Sequence, residues 1–248
     1  MTPKLSHLVG SMGPLTTTPA LRLRLARGLR LAGLLGAWGF GLGASQAATL
    51  QVTVLDRDGK PAPDAVVVVT PAVRGNPKTR PPMNAVINQE KMQFSPAVTV
   101  VGVGATVRFI NNDAWNHHVR MSLPGAAAGA VSAPAEGNAL LLPGKTEGKA
   151  ASGADLVMDR VGATGASLLG CFILGSMRGH IYVADSPWTV KTGDTGVVTF
   201  DDLPEGPATV KVWHGLQILD KAPQSVTLTA TTGTVSFQLD VVPRKRRI

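Results

Sequence analysis

What most constrains this chain is a succession of short apolar runs of strand length, alternating or β-branched, each closed by Gly, Pro or Asp. TLQVTVLD from Thr49 alternates, Asp58-Gly59 is a turn signal, and AVVVVT from Ala65 is a β-branched run. AVTVVGV, ATVRFI, HHVRMS, HIYVA, VVTF, ATVKVWH, SVTLTA and TVSFQLDV follow. The stretch TPAVRGNPKTRPPM interrupts the series, because each proline removes a donor from any ladder. About nine or ten strand candidates and no helical period beyond roughly two turns predict an all-β sandwich or barrel.

Residues 1–47 follow a different rule. Lys4, Arg22, Arg24, Arg27 and Arg30 come without an acidic residue, then the apolar run LAGLLGAWGFGL from Leu31 to Leu42, then the small residues ASQAA. That order is the order of a secretory signal peptide, with cleavage expected after Ala47. The apolar run is shorter than the ~18 to 20 residues a membrane span needs. An uncleaved amphipathic anchor is the alternative, since the basic flank is long. The expected location is the periplasm or another exported compartment.

Export changes the charge argument. The chain carries +8, residues 1–47 hold five of the positive charges, and RKRR at Arg244–Arg247 holds four, so the body between them is near −1. A body near neutrality offers no uniformly basic face, so nucleic-acid binding is not expected. Residues 243–248 form a basic tail, expected to be a solvated end or to touch an anionic surface. Residues 48–242 are enough for one sizeable domain, which would bury roughly 70% of its unfolded surface. Four Trp, six Phe and one Tyr leave most of the core to aliphatic residues. A single cysteine excludes an internal disulfide, and in an oxidising compartment such a thiol is buried, metal-bound or reactive.

The segment 124–155, PGAAAGAVSAPAEGNALLLPGKTEGKAASGAD, offers little to pack. It predicts a surface insertion with one short ordered piece at ALLLP. Its PGKT ends like a phosphate-binding loop, but the glycine required five positions before Gly144 is Ala139. GVGATV likewise lacks the third glycine of a dinucleotide fingerprint. No zinc-protease motif and no partnered nucleophile is present, so no enzymatic activity is expected.

The remaining chemistry lies in sulfur and imidazole. Cys171 and Met177 stand in GCFILGSMRGH, and the histidines of the body are His117, His118, His180 and His214. On a strand HHVRM, His117, Val119 and Met121 share one face and His118 and Arg120 the other. Arg120 seeks water, so His117 points inward. An inward imidazole alone is more often a hydrogen-bonded core residue, and a lone Cys171 a buried, inert thiol. Together, thiolate, thioether and imidazole are the donors copper prefers, a blue-copper centre using two histidines, one cysteine and a weak axial methionine.

Two long stretches carry a family resemblance. VINQEKMQFSPAVTVVGVGATVRFINNDAWNHHV and LLGCFILGSMRGHIYVADSPW resemble the exported plastocyanin-like cupredoxins, through Phe94 and Pro96 before a strand and Phe109, Asn111 and Asp113 leading to His117 and Val119. TGDTGVVTFDDLPEGPATVKVWH is similar to the closing segment of that family, and LQVTVLDRDGKPAPDAVVVV to short β-sandwich modules that often adjoin it. The resemblance implies a Greek-key β-sandwich over residues 48–242, copper under its loop end, and electron transfer with a redox partner protein. It implies His117 as first ligand, Cys171 as thiolate, Met177 as axial thioether and Asn111 as the brace of the cysteine loop.

The departure is Leu174, which stands where the family pattern has its second histidine and has no lone pair to donate. Changes around a ligand already cost ~10- to 100-fold in affinity, so a missing nitrogen donor costs at least about 1.4 to 2.7 kcal/mol. Copper(II) suffers more than copper(I), which accepts three soft donors. His180 is the nearest imidazole able to replace it, whereas His214 is expected to be structural. Two functions remain open: a copper-binding protein that transfers electrons or holds copper(I), and a degenerate, metal-free cupredoxin acting as an interaction module.

Overall fold

The computed structural model describes residues 47–122, 139–159 and 165–242. The expected signal peptide up to Gln46, half of the expected insertion and the basic tail lie outside the described residues. The chain enters as β1 (Ala47–Leu55) and β2 (Val66–Pro71). A middle block follows: β3 (Asn84–Glu90), β4 (Gln93–Ser95), β5 (Val98–Gly102), β6 (Ala105–Asn111), β7 (His117–Met121), β8 (Ala139–Leu142), β9 (Ser152–Met158), β10 (Ala166–Cys171) and β11 (Arg178–Ala184). It returns as β12 (Trp188–Lys191), β13 (Val197–Pro204), β14 (Gly206–Trp213), β15 (Gln224–Leu228) and β16 (Gly233–Gln238). No helix occurs among the described residues, so the all-β expectation holds.

The span 48–242, expected as one sandwich, contains two. Sheets β13-β1-β16 and β12-β2-β14-β15 enclose one core, with Leu50, Val52, Val67, Phe200, Val210 and Phe237 among its members. Sheets β5-β11-β10-β7-β8 and β4-β3-β6-β9 enclose a second, with Ile87, Phe109, Val119, Leu169, Cys171 and Met177. The stretch similar to a family closing segment, VVTFDDLPEG and ATVKVWH, therefore belongs with β1 and β2 in the first sandwich, while the middle block forms the second.

The physical reason is written in β2. Val66 to Val69 are all buried, Val67 and Val69 toward the first core and Val66 and Val68 toward a third cluster with Val98, Tyr182 and Trp213. An unbroken β-branched run is a strand covered on both faces. The four sheets thus stack, with the outer face of β2 against the outer faces of β5 and β11. Asp202 secures the passage between sandwiches, accepting hydrogen bonds from Trp188 Nε1 at 2.8 Å and from the Lys78 amide at 2.5 Å.

The described part of the insertion is more ordered than its composition predicts. ALLL forms β8 as expected, pairing with β7, but Ser152–Met158 also forms β9 along the whole of β6. Edge strands show a weak hydrophobic signal because one flank and much of one face meet solvent, and β9 lies at its sheet's edge with Val157 exposed.

Candidate metal centre

The second sandwich brings Cys171 and His117 together within its core. β10 pairs with β7 so that Cys171 stands opposite Val119, which makes His117 its diagonal neighbour on the same inward face. The Phe172 amide extends the zipper, donating to the His118 carbonyl at 3.0 Å. Cys171 Sγ consequently lies 3.7 Å from His117 Nδ1, with His117 fully buried and Cys171 5% exposed. Met177 is also buried in this core, its amide donating to the Leu174 carbonyl at 3.0 Å to close the turn after Cys171. Leu174 packs half-buried against the same core, an apolar side chain at the position expected for a nitrogen donor.

Asp113 orients the imidazole. His117 Nε2 lies 2.9 Å from Asp113 Oδ2, while the carboxylate also accepts from the amides of Lys91 at 2.7 Å and Met92 at 3.2 Å. Burial alone pushes the Asp113 carboxyl up, but hydrogen bonds from His117 and the two amides outweigh it and hold the group below the usual carboxylate range. An ionised carboxylate only accepts, so a neutral His117 carries its proton on Nε2 and turns the lone pair of Nδ1 toward the thiol. A carboxylate behind a ligating histidine is the usual arrangement in metal sites. The sequence identified Asp113 only as part of a motif, since Asp-x-x-x-His has no fixed geometry outside a helix.

Asn111 braces a different neighbour from the one expected. Its amide donates to the carbonyls of Trp115, Leu142 and Pro143 at 2.8, 3.0 and 3.0 Å, and its Oδ1 accepts from the Asp113 amide at 3.0 Å. It ties the 113–117 turn to the end of β8, not to the loop after Cys171. His118 faces outward, its ring 5.1 Å from Phe172, over which Arg120 stacks at 4.3 Å.

His180 is not brought to the sulfurs. On β11, Ile181 and Val183 enter the second core, while His180 shares the opposite face with Tyr182 and meets Trp213 at 5.1 Å. Burial, together with the nearby His214 and Arg178, lowers its pKa to about 4. His214 is structural, Nε2 lying 3.3 Å from the Pro63 carbonyl and Nδ1 accepting from the Leu216 amide at 3.1 Å.

Among the described residues no three His, Cys, Asp or Glu side chains converge as a metal cluster, so a third donor would have to come from a group such as the Met177 thioether, which is buried in the same core. A thiol and a free imidazole lone pair at ligand-to-ligand separation, in a dry core with a thioether, fit a soft metal ion.

No protein-family model and no curated protein matches the chain. Solved structures similar to it include a Cu(I) form of an amicyanin mutant, at 24% identity over 41% of this chain and 82% of that one, with a TM-score of 0.30. A dithionite-reduced auracyanin from Roseiflexus castenholzii aligns at 19% identity over 42% and 98%, with a TM-score of 0.31. A copper-containing nitrite reductase from Thermus scotoductus aligns at 20% identity over 46% of this chain but only 25% of its own, with a TM-score of 0.30. Each overlap spans less than half of this chain.

Proposed function

We propose that this chain is an exported copper-binding protein that holds copper through His117, Cys171 and Met177. The observation that carries this reading is the 3.7 Å approach of Cys171 Sγ to His117 Nδ1, with Asp113 fixing the ring that presents it. Copper held there supplies a one-electron couple if both oxidation states are retained, or a carried ion if only copper(I) is. The protein's part is to exclude water by burying both sulfurs, to hold the Nε2 proton of His117 on Asp113, and to keep β7 and β10 in register. Leu174 favours holding copper(I), because three soft donors suit that ion and leave copper(II) short. A redox partner belongs to the electron-transfer form of this reading.

Copper content with a visible spectrum tests it. Protein loaded under reducing conditions should retain stoichiometric copper, and Cys171→Ala should lose it. Copper(II)-loaded protein should show weak or no blue charge-transfer absorption, and Leu174→His should gain it. No copper in the unmodified protein under copper-replete, reducing conditions would favour the metal-free interaction module instead.

A further inference from the structure

The centre lacks a donor at Leu174, and a buried polar side chain at the same end of the core lacks a partner. Gln89 is fully buried, and neither its Nε2 nor its Oε1 makes a hydrogen bond. Native interiors rarely leave a carboxamide wholly unsatisfied, and such a group calls for an explanation. β3 alternates so that Ile87 and Gln89 face the core. Gln89 stands opposite Asn111 on β6, itself fully buried and bonded into the 113–117 turn. Its backbone carbonyl accepts from the Asn112 amide at 2.9 Å. Two and three residues on, the amides of Lys91 and Met92 bind the carboxylate that holds His117. The unpartnered amide thus enters the core at the end where His117 faces Cys171.

We infer that Gln89 supplies a further, weak donor, its carboxamide oxygen, to copper held by His117, Cys171 and Met177. The inference rests on the copper reading above. A carboxamide oxygen is a neutral, weak donor, known in the axial position of copper sites. Being harder than sulfur, it contributes little to copper(I) and more to copper(II). In the metal-free protein the same group is a cost, which the bound ion removes for Oε1.

Gln89→Leu separates these effects when metal-free stability and affinity for each copper oxidation state are measured on the full chain by competition with chelators. The expected result is a metal-free protein at least as stable as the unmodified one, copper(I) affinity kept within about threefold, and copper(II) affinity lowered at least about tenfold. Gln89→Glu, which restores an oxygen, should bind copper(II) more tightly than Gln89→Leu. Equal affinities in Gln89→Leu and the unmodified protein would overturn the inference and leave the copper reading standing. An equal loss for both ions with a lower melting temperature would assign Gln89 to packing and overturn it as well. An unmodified protein that binds neither ion sinks both.

Discussion

Asp113 shows how a buried carboxylate can orient an imidazole. It is 6% exposed and carries three hydrogen bonds, from the His117 ring and the amides of Lys91 and Met92. Asp113→Ala leaves those donors unpaired in a dry site, and each such loss costs ~1 to 3 kcal/mol. The expected loss of stability is about 2 to 4 kcal/mol, read as a lowered denaturant midpoint with unchanged slope. Asp113→Asn, which keeps an acceptor oxygen, should lose less. The identities of the three soft donors were legible because Cys, Met and inward His are rare and chemically distinctive. The support from Asp113 was not, because an irregular turn brings it to His117, and no periodicity describes that turn.

Among elements, β8 lies against β7 with Leu142 opposite His117. Gly144, in the PGKT stretch, has a packing role there: a Cβ on it would overlap the Ala114 carbonyl, immediately before Trp115 in the turn that leads to His117. The Gly144 amide meanwhile donates to Asn116 Oδ1 at 2.9 Å. Gly144→Ala must push the end of β8 away from this turn, so we expect a cost of about 1 to 3 kcal/mol and weaker copper retention. Thermal denaturation with and without copper checks this, and a melting temperature equal to that of the unmodified protein would contradict it. β8 was legible as an apolar island in an Ala/Gly-rich stretch. β9 was not, because SGADLVM buries only its last residue, Met158, and is held by its ladder to β6.

At the scale of the whole molecule, the two sandwiches meet through Val66, Val68, Val98, Tyr182 and Trp213, with His180 against Trp213. Burial, then the proximity of His214 and Arg178, lowers the pKa of His180 from 6.5 to about 4. Between those values the unfolded chain binds a proton that the folded protein refuses, so stability increases with pH across this window and is lost as pH falls from 6.5 toward 4. The loss is at most about 3 kcal/mol. Burial also lowers the pKa of His214, so its contribution has the same sign. Denaturation midpoints between pH 7 and pH 4 should decline, and His180→Gln should flatten part of that decline. An unchanged slope in His180→Gln would remove His180 from this account.

Sequence alone determined the all-β class and singled out the candidate soft donors, because strand periodicity and donor chemistry are local properties. It also exposed Leu174 as a gap in the expected ligand set. Tertiary structure decided the rest. Only the pairing of β1 and β2 with β12–β16 divides the chain into two sandwiches. Only the β7/β10 register brings His117 to Cys171 across 54 residues, and the β10/β11 register sets His180 opposite Leu168, on the other face of the sheet. Long-range register depends on which surfaces are buried together, and no single stretch of sequence contains both partners.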